Sequence, residues 1–531
     1  MSKGRVLAVL GAAQFLMVLD QAVMNVSISQ LVADFDTTVT AIQAVIALYA
    51  LVMASLMLTG GKLGDLLGRR RSFQIGLLIY AGGSALTAAS WSVPTLTLGW
   101  SILEGIGAAL VMPALVALVA GNFQGRDRAV AYGALGGIAG AGIAVGPILG
   151  GWATTELSWR VIFAGEVVVA AGILIGTRWL QDAPREGRAP RLDGVGAALA
   201  ALGLGLIVFG VLQASNWGWL EPRNSPIEPF GFSLTPFVVA AGGVSLACFA
   251  AWQRRRERRN EDPLLHLDLL GIGPLRGGVG SLVAQNLILM GIFFSVPLYL
   301  QIVQGFDALE TGVRMLPASV GLFVAALAGS RLATRHSPRT LVRTGLSVVF
   351  VSTVMLLAVI EPELDTASFL VAMGVLGTGM GLTVSQLGNV VQSAVSDSDR
   401  SEAGGLQNTA QQLGSSLGTA LLGAVVITGL IAAFSASVSD DPRISAATKQ
   451  TVQVELGGDV SFVSAEQVRK AANAEGLSDD DVQAIVSGYE DAQIKALKTA
   501  FLFAAFVVVA SYWPTRRLPA KPLVAVPAAT T

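Results

Sequence analysis

Gly60-Gly61-Lys62-Leu63-Gly64-Asp65-Leu66-Leu67-Gly68-Arg69-Arg70-Arg71 lies between two long apolar runs. Glycines let a backbone turn sharply, and five charged residues crowd this expected turn at a membrane surface. A plain connection needs neither feature. Arginines beside a membrane span hold it in place by the positive-inside rule, which accounts for Arg69, Arg70 and Arg71. It does not account for Asp65 or for the spacing of Gly61, Gly64 and Gly68.

The surrounding composition supports a membrane reading. The 531 residues are 53% hydrophobic and 13% charged, with mean hydropathy +0.63, whereas a soluble chain carries about 25% charged residues. Apolar residues come in blocks of about twenty, long enough to cross a bilayer core as helices. The chain reads as a polytopic helical membrane protein. A net charge of −1 leaves no nucleic-acid footprint. Cys248 stands alone, so no disulfide or metal framework is expected. His266 and His336 fall in arginine-rich loops and are expected to be solvated. Arginine outnumbers lysine 28 to 7, a composition pointing to a GC-rich bacterial genome. No cleavable signal peptide is expected, because the first apolar run carries Asp20 and Asn25 and lacks a small-residue cleavage site.

Fourteen spans are expected, at 6–32, 39–59, 73–92, 94–121, 130–152, 160–180, 195–213, 235–253, 275–300, 312–333, 340–360, 366–392, 406–434 and 496–513. With both termini inside, 26 of the 35 basic residues fall in cytoplasmic segments, and an odd number of spans would destroy that segregation. The long outer loop over 435–495 carries eleven acids against five bases. Ser464 with Gln467 and Ser478 with Asp481 fit helix starts there, so short amphipathic helices are expected.

Asp20 lies near mid-membrane, where an ionisable group costs at least ~2.5 kcal/mol and is a functional candidate by default. Met17, Asp20, Met24 and Ser27 share a helix face; the methionines, taken alone, read as packing residues. Glu104 falls roughly 15 Å from the outer end of its helix, with no arginine partner in sight. Because burial disfavours the charged form, it is expected to be protonated part of the time. Glu166 admits two readings, as a functional acid or as a structural partner of some base such as Arg160. Gly133 to Gly142 lacks a preceding soluble strand, so a nucleotide loop is rejected.

The opening stretch resembles the signature between the second and third helices of the major facilitator superfamily of transporters. The resemblance implies that Gly61, Gly64, Asp65, Gly68, Arg69 and Arg70 form a conformational gate, with a charge lock made and broken as two halves rock. Leu19 to Ser27 is similar to the helix-1 signature of drug/proton antiporters, implying proton coupling at Asp20. Gly142, Gly146, Pro147, Gly150 and Gly151 spell a string similar to the antiporter motif of exporters; its bland alternative is close helix packing with a proline kink. Leu300 to Phe306 with Thr311 to Pro317, and Gly404 to Gly414, resemble landmarks of the fourteen-helix branch. Departures are specific. Ser101 and Glu104 stand where the family has arginine and glutamine, Glu166 where it has asparagine, Gln411 where it often has arginine, and Thr334 where the second half would repeat Asp65.

The implied fold is an all-α polytopic major facilitator architecture: a six-helix bundle over 1–183, a linker and two extra helices over 184–260, and a second six-helix bundle over 261–531. The function expected is proton-coupled export of amphiphilic, cationic drugs or toxic small molecules across the bacterial plasma membrane. Outside protons would load Asp20, Glu104 or Glu166 and expel a substrate held by the deprotonated acids. Cavity candidates are Met17, Met24, Asn25, Ser101, Gln285, Asn286, Gln386, Asn389, Gln407 and Gln411. Each of the polar candidates in the second half reads equally as an interhelical hydrogen-bonding residue. No enzyme chemistry, cofactor or metal is expected, the drive being the proton gradient. The expected partners are a small-molecule substrate, protons and the bilayer, with the chain a monomer and a periplasmic partner left open. The rivals are a dedicated exporter or importer of one natural product, and a receptor that kept the fold but does not transport.

Overall fold

The computed structural model describes residues 3–182, 192–259, 261–396, 399–445, 448–449 and 462–522. Most of the linker expected over 181–192, and part of the outer loop, lie outside these residues.

Helix α1 (Lys3–Val26) and a short α2 (Ile28–Asp34) replace the single span expected over 6–32. The break falls at Ser27, whose Oγ donates to the Val23 carbonyl at 3.0 Å and lies 2.8 Å from Thr154 Oγ1. A hydroxyl bonded back to the preceding turn bends a helix.

The opening stretch is helical rather than a loop. Helix α3 (Val39–Leu67) starts on Thr38, which accepts the Ala41 amide at 3.1 Å, and continues through Gly60, Gly61 and Gly64. The turn is Gly68 alone, at φ 98, where L side chains are strained, and α4 (Arg69–Ala88) begins directly after it. Gly60 serves packing instead. A Cβ there would collide with the Ala109 carbonyl.

Helix α5 (Val93–Leu96), a π-helical turn (Thr97–Glu104) and α6 (Gly105–Asn122) form one continuous span. Helices α7 (Gly125–Glu156) and α8 (Trp159–Gly176) complete the first set. The second set comprises α11 (Gly273–Leu298) with a π-helical turn (Tyr299–Val303), α12 (Ala308–Leu332), α13 (Pro338–Val359), α14 (Thr366–Ser393), α15 (Arg400–Asp440) and α17 (Asp479–Ala510). Between the sets lie α9 (Gly194–Trp217) and α10 (Thr235–Arg258). Two short helices, α16 (Ala465–Ala474) and α18 (Tyr512–Thr515), flank the last span.

Among the described residues, 13 helical stretches are long and apolar enough to cross a membrane. Helix α4, with arginines at its start, falls outside that group. Its 20 residues pack against α6 and α8 and span roughly 30 Å. The fourteen expected spans are thus present.

The two sets meet along α7 with α12 and along α3 with α15. A Cβ at Gly151 would strike the Ala308 carbonyl, and one at Gly312 the Pro147 carbonyl. Ser319 Oγ donates to the Ile143 carbonyl at 3.1 Å. Across the other seam, Gln43 Nε2 donates to the Thr419 and Ala420 carbonyls at 3.0 and 3.2 Å, and Ser416 Oγ to the Ala47 carbonyl at 2.7 Å. Gln301, on the second π-helical turn, donates to the Val26 carbonyl at 2.8 Å and accepts from the Ser29 hydroxyl. These bonds run from mid-bundle to the end away from Gly68, and they close that end.

Helix α9 covers the α3–α15 seam. Leu204, Val208 and Val211 pack with Ala47, Leu51, Ala54 and Ala420. Its N-cap Asp193 receives the Gly196 amide, Trp252 Nε1 and Gln253 Nε2 at 2.8–3.0 Å, tying it to α10.

The region expected to be one outer loop is partly continuous helix. Helix α15 runs to Asp440 and α17 begins at Asp479, well before the expected 496. Ser464 does start a short helix with a reciprocal capping box, as expected, whereas Ser478 caps the final long span. Buried Asp481 accepts from the Ser445 amide and the Thr448 hydroxyl.

Candidate functional site

Three helical elements bring Asp20 (α1), Glu104 (the first π-helical turn) and Glu166 (α8) together. One oxygen from each carboxylate lies within 4.8 Å of the others. Their relative exposures are 0%, 0% and 2%, so the cluster is sealed inside the first helix set and a drug-sized molecule cannot touch it here.

Helix α4 supplies the donors. Tyr80, Ser84 and Thr87 stand at i, i+4 and i+7, one face of a helix. The Tyr80 hydroxyl and Ser84 Oγ donate to Glu166 Oε2 at 3.0 and 3.2 Å, and Thr87 Oγ1 donates to Glu104 Oε1 at 2.9 Å. Close approach of two backbones makes these bonds reachable. Gly83 and Gly99 face one another so tightly that a Cβ at either would meet the other's carbonyl, and Gly76 and Gly107 repeat the arrangement. Small residues at such spacing let membrane helices approach closely.

On the opposite side, Trp100 Nε1 donates to Asp20 Oδ1 at 2.7 Å. Tyr49 stacks on the Trp100 ring, centroids 4.5 Å apart and planes 8° from parallel. Its buried hydroxyl lies near Asp20 without a hydrogen bond of standard geometry. One oxygen of each acid is also unpartnered: Asp20 Oδ2, Glu104 Oε2 and Glu166 Oε1. Among the described residues, no basic side chain pairs with any of the three. Irregular π-helical turns often mark functional sites, and this one carries Trp100, Ser101 and Glu104.

The other sequence candidates are dispersed. Arg160 does not pair with Glu166; it pairs with Asp34 at 2.9 Å, at the closed end, where Trp159 Nε1 also reaches Asp34 at 2.8 Å. Burial opposes the charge of Asp34, and bonds from Trp159, Gln30 and Arg160 outweigh it, holding its carboxyl below the usual aspartate range. Met17 and Met24 are buried. Asn25 spends its amide on the Gln21 carbonyl and Ser101 its hydroxyl on the Val45 carbonyl, both at 2.8 Å. Asn286 donates to Leu282 and Gln386 to the Gly329 carbonyl, each at 3.0 Å. Asn389 accepts from Ser393 and Gln407 from Gln392. Gln411 is half-buried, and Gln285 is buried with Oε1 unpartnered. His266, expected to be solvated, lies 2.8 Å from Glu402.

At the opening stretch, Asp65 pairs with Arg69 one turn on, and the Arg70 amide donates to Asp182 at 2.8 Å. In the antiporter-like string, Gly142, Gly146 and Gly150 pack on Val18, Ala22 and Val23 of α1, while Gly151 and Pro147 meet α12.

The sequence reading missed Tyr49, Tyr80, Ser84 and Thr87 as neighbours of the acids. The last three carried a signal, a polar stripe at helical spacing in an apolar span. It also missed Gln43 as a bond across the seam.

Two sets of six spans with a pair between them, and buried acids inside one set, define a multi-pass membrane transporter of small molecules. The chain belongs to the Major Facilitator Superfamily, whose family profile matches residues 10–419. Its relatives place it in the drug-efflux branch. It is 34% identical over 442 residues to the puromycin resistance protein pur8 of Streptomyces alboniger, covering 82% of this chain and 84% of that one. It is 29% identical over 505 residues to the multidrug efflux pump LfrA of Mycolicibacterium smegmatis, covering 95% of each. Among solved structures, a bacterial homologue of the human lysosomal transporter Spinster, inward-facing and unoccupied, superposes with a TM-score of 0.61 at 14% identity over 98% of each chain. That likeness concerns the fold.

Proposed function

We propose that this protein is a proton-coupled antiporter exporting amphiphilic organic cations from the bacterial cytoplasm, with Asp20, Glu104 and Glu166 as its coupling-ion site. The observation that carries the reading is the convergence of three buried carboxylates with no basic partner among the described residues. Charge buried without compensation is strongly unfavourable, so the site must hold protons or a cation. Its sealing shifts the role of the acids. They hold the coupling ion, and the larger substrate contacts other surfaces, with the unpartnered Gln285 oxygen a candidate contact from α11. Orientation with both termini inside rests on the distribution of basic residues.

The test uses inverted membrane vesicles carrying an inside-acid pH gradient, to which lipophilic cations are added. Dissipation triggered by a cation in wild type, and absent in Asp20→Asn and Glu104→Gln, is expected. A gradient unmoved by every cation would overturn proton-coupled cation export.

A second reading, dedicated export of one natural product, is favoured by the relative named for resistance to a single compound. A response confined to one member of a mixed panel of cationic, neutral and anionic compounds would select it.

A further inference from the structure

We propose that the Asp20–Glu104–Glu166 pocket also binds a dehydrated small monovalent cation, Na⁺ or Li⁺, in place of protons. The proposal rests on the coupling-ion reading and extends it to a second ion. No metal was expected from the sequence, where Cys248 stands alone and no metal-ligand spacing is found.

The geometry is that of a cation cradle. Three oxygens no more than 4.8 Å apart leave a point within about 2.8 Å of all three, close to the roughly 2.3–2.6 Å over which carboxylates hold hard cations. Each acid also keeps one oxygen free of hydrogen bonds. The other oxygen of each is held by a donor, Trp100 for Asp20, Thr87 for Glu104, and Tyr80 with Ser84 for Glu166. Such outer bonds orient ligands toward a metal. Independently of the acids, the buried and unpartnered Tyr49 hydroxyl faces the cluster, a fourth oxygen for the same ion.

The donor set selects the class of ion. All four candidate ligands are oxygen, which suits hard cations and disfavours copper or zinc. Ca²⁺ takes about six to eight oxygens, and Mg²⁺ about six, usually keeping several waters. A pocket offering four oxygens and sealed by packing falls short of both. Two unit charges at this separation repel by roughly 3–4 kcal/mol at an effective dielectric near 20, and a cation between them removes that repulsion.

The experiment is equilibrium binding of radiolabelled Na⁺ to the purified full-length protein in alkaline choline buffer. Saturable binding, displaced by unlabelled Li⁺, is expected. Asp20→Asn and Glu104→Gln should each weaken it about tenfold or more, and Thr87→Val, which removes the donor to Glu104 together with the hydroxyl's contact to the Gly83 carbonyl of its own helix, should weaken it within the roughly 10–100-fold range of outer-shell losses. Glu310→Gln, in the cap of α12, should bind like wild type and controls for folding. Absence of saturable Na⁺ binding, binding unchanged in both amide variants, or displacement by equimolar Ca²⁺ would each overturn the assignment. Substrate-triggered proton movement in sodium-free medium without Na⁺ binding would overturn this inference and leave the exporter reading standing. Na⁺ binding with no substrate-triggered proton movement would do the reverse.

Discussion

The indole of Trp100 does two jobs at once: its N–H donates to Asp20 at 2.7 Å, and its face stacks on Tyr49 at 4.5 Å. Three helices are linked through one side chain. A change in what Asp20 holds therefore reaches α3, the helix that forms a seam with the second half.

Replacing Trp100 by Phe keeps an aromatic face but removes the donor, leaving both Asp20 oxygens without a partner. A buried polar group left unsatisfied costs about 1–3 kcal/mol. The variant should unfold at lower temperature in detergent and lose most transport, both readable on one preparation. Wild-type flux in Trp100→Phe would show that the bond is incidental.

Gly151 and Gly312 let α7 and α12 touch backbone to backbone. Gly151→Val should destabilise the closed arrangement by about 1–3 kcal/mol, the usual range for overpacking. Opening of the far end would follow, detected as faster labelling of a cysteine introduced at Leu309 in a Cys248→Ser background. Unchanged labelling would place the gate elsewhere.

Gln43 bonds two carbonyls of α15 from α3. Gln43→Ala should accelerate labelling at an Ala420→Cys probe by a membrane-impermeant maleimide, with fold stability little altered because the freed carbonyls retain their helical bonds. Slower labelling would contradict a role in holding this end shut.

Asp34 ties Arg160 and Trp159 to the short helix α2. Its carboxyl lies below the ordinary aspartate range: burial acts against it and the donated hydrogen bonds prevail. A carboxyl lowered in the folded state contributes stability that is complete above the unfolded value, about 3.9, and is lost as pH falls through the native value. The difference in melting temperature between wild type and Asp34→Asn should therefore be constant from neutral pH down to about 4 and shrink below it. A difference vanishing already at pH near 6 would contradict this.

Spans and composition were readable because a bilayer imposes twenty-residue apolar blocks. The stretch around Asp65 was read correctly as a landmark but wrongly as a loop. Gly60, Gly61 and Gly64 are individually compatible with helix, and only packing against α6 shows that space, not flexibility, is what Gly60 supplies. Asp20, Glu104 and Glu166 were each visible as costly groups inside spans. Their convergence was not, since it depends on the rotation of three helices and on the Gly83–Gly99 approach. Arg160 was offered to Glu166 because both lie on one helix; Asp34 wins because it stands beside the start of that helix, within reach of both Trp159 and Arg160.

The central claim is that the buried acids hold the coupling ion while the substrate sits elsewhere. It is tested most directly by comparing, in one purified Asp20→Asn preparation, equilibrium binding of a lipophilic cation with its exchange against a proton gradient after reconstitution. The account predicts binding within about threefold of wild type, under 1 kcal/mol, and exchange abolished. Loss of binding in a folded Asp20→Asn protein would contradict it and return the acids to direct contact with substrate.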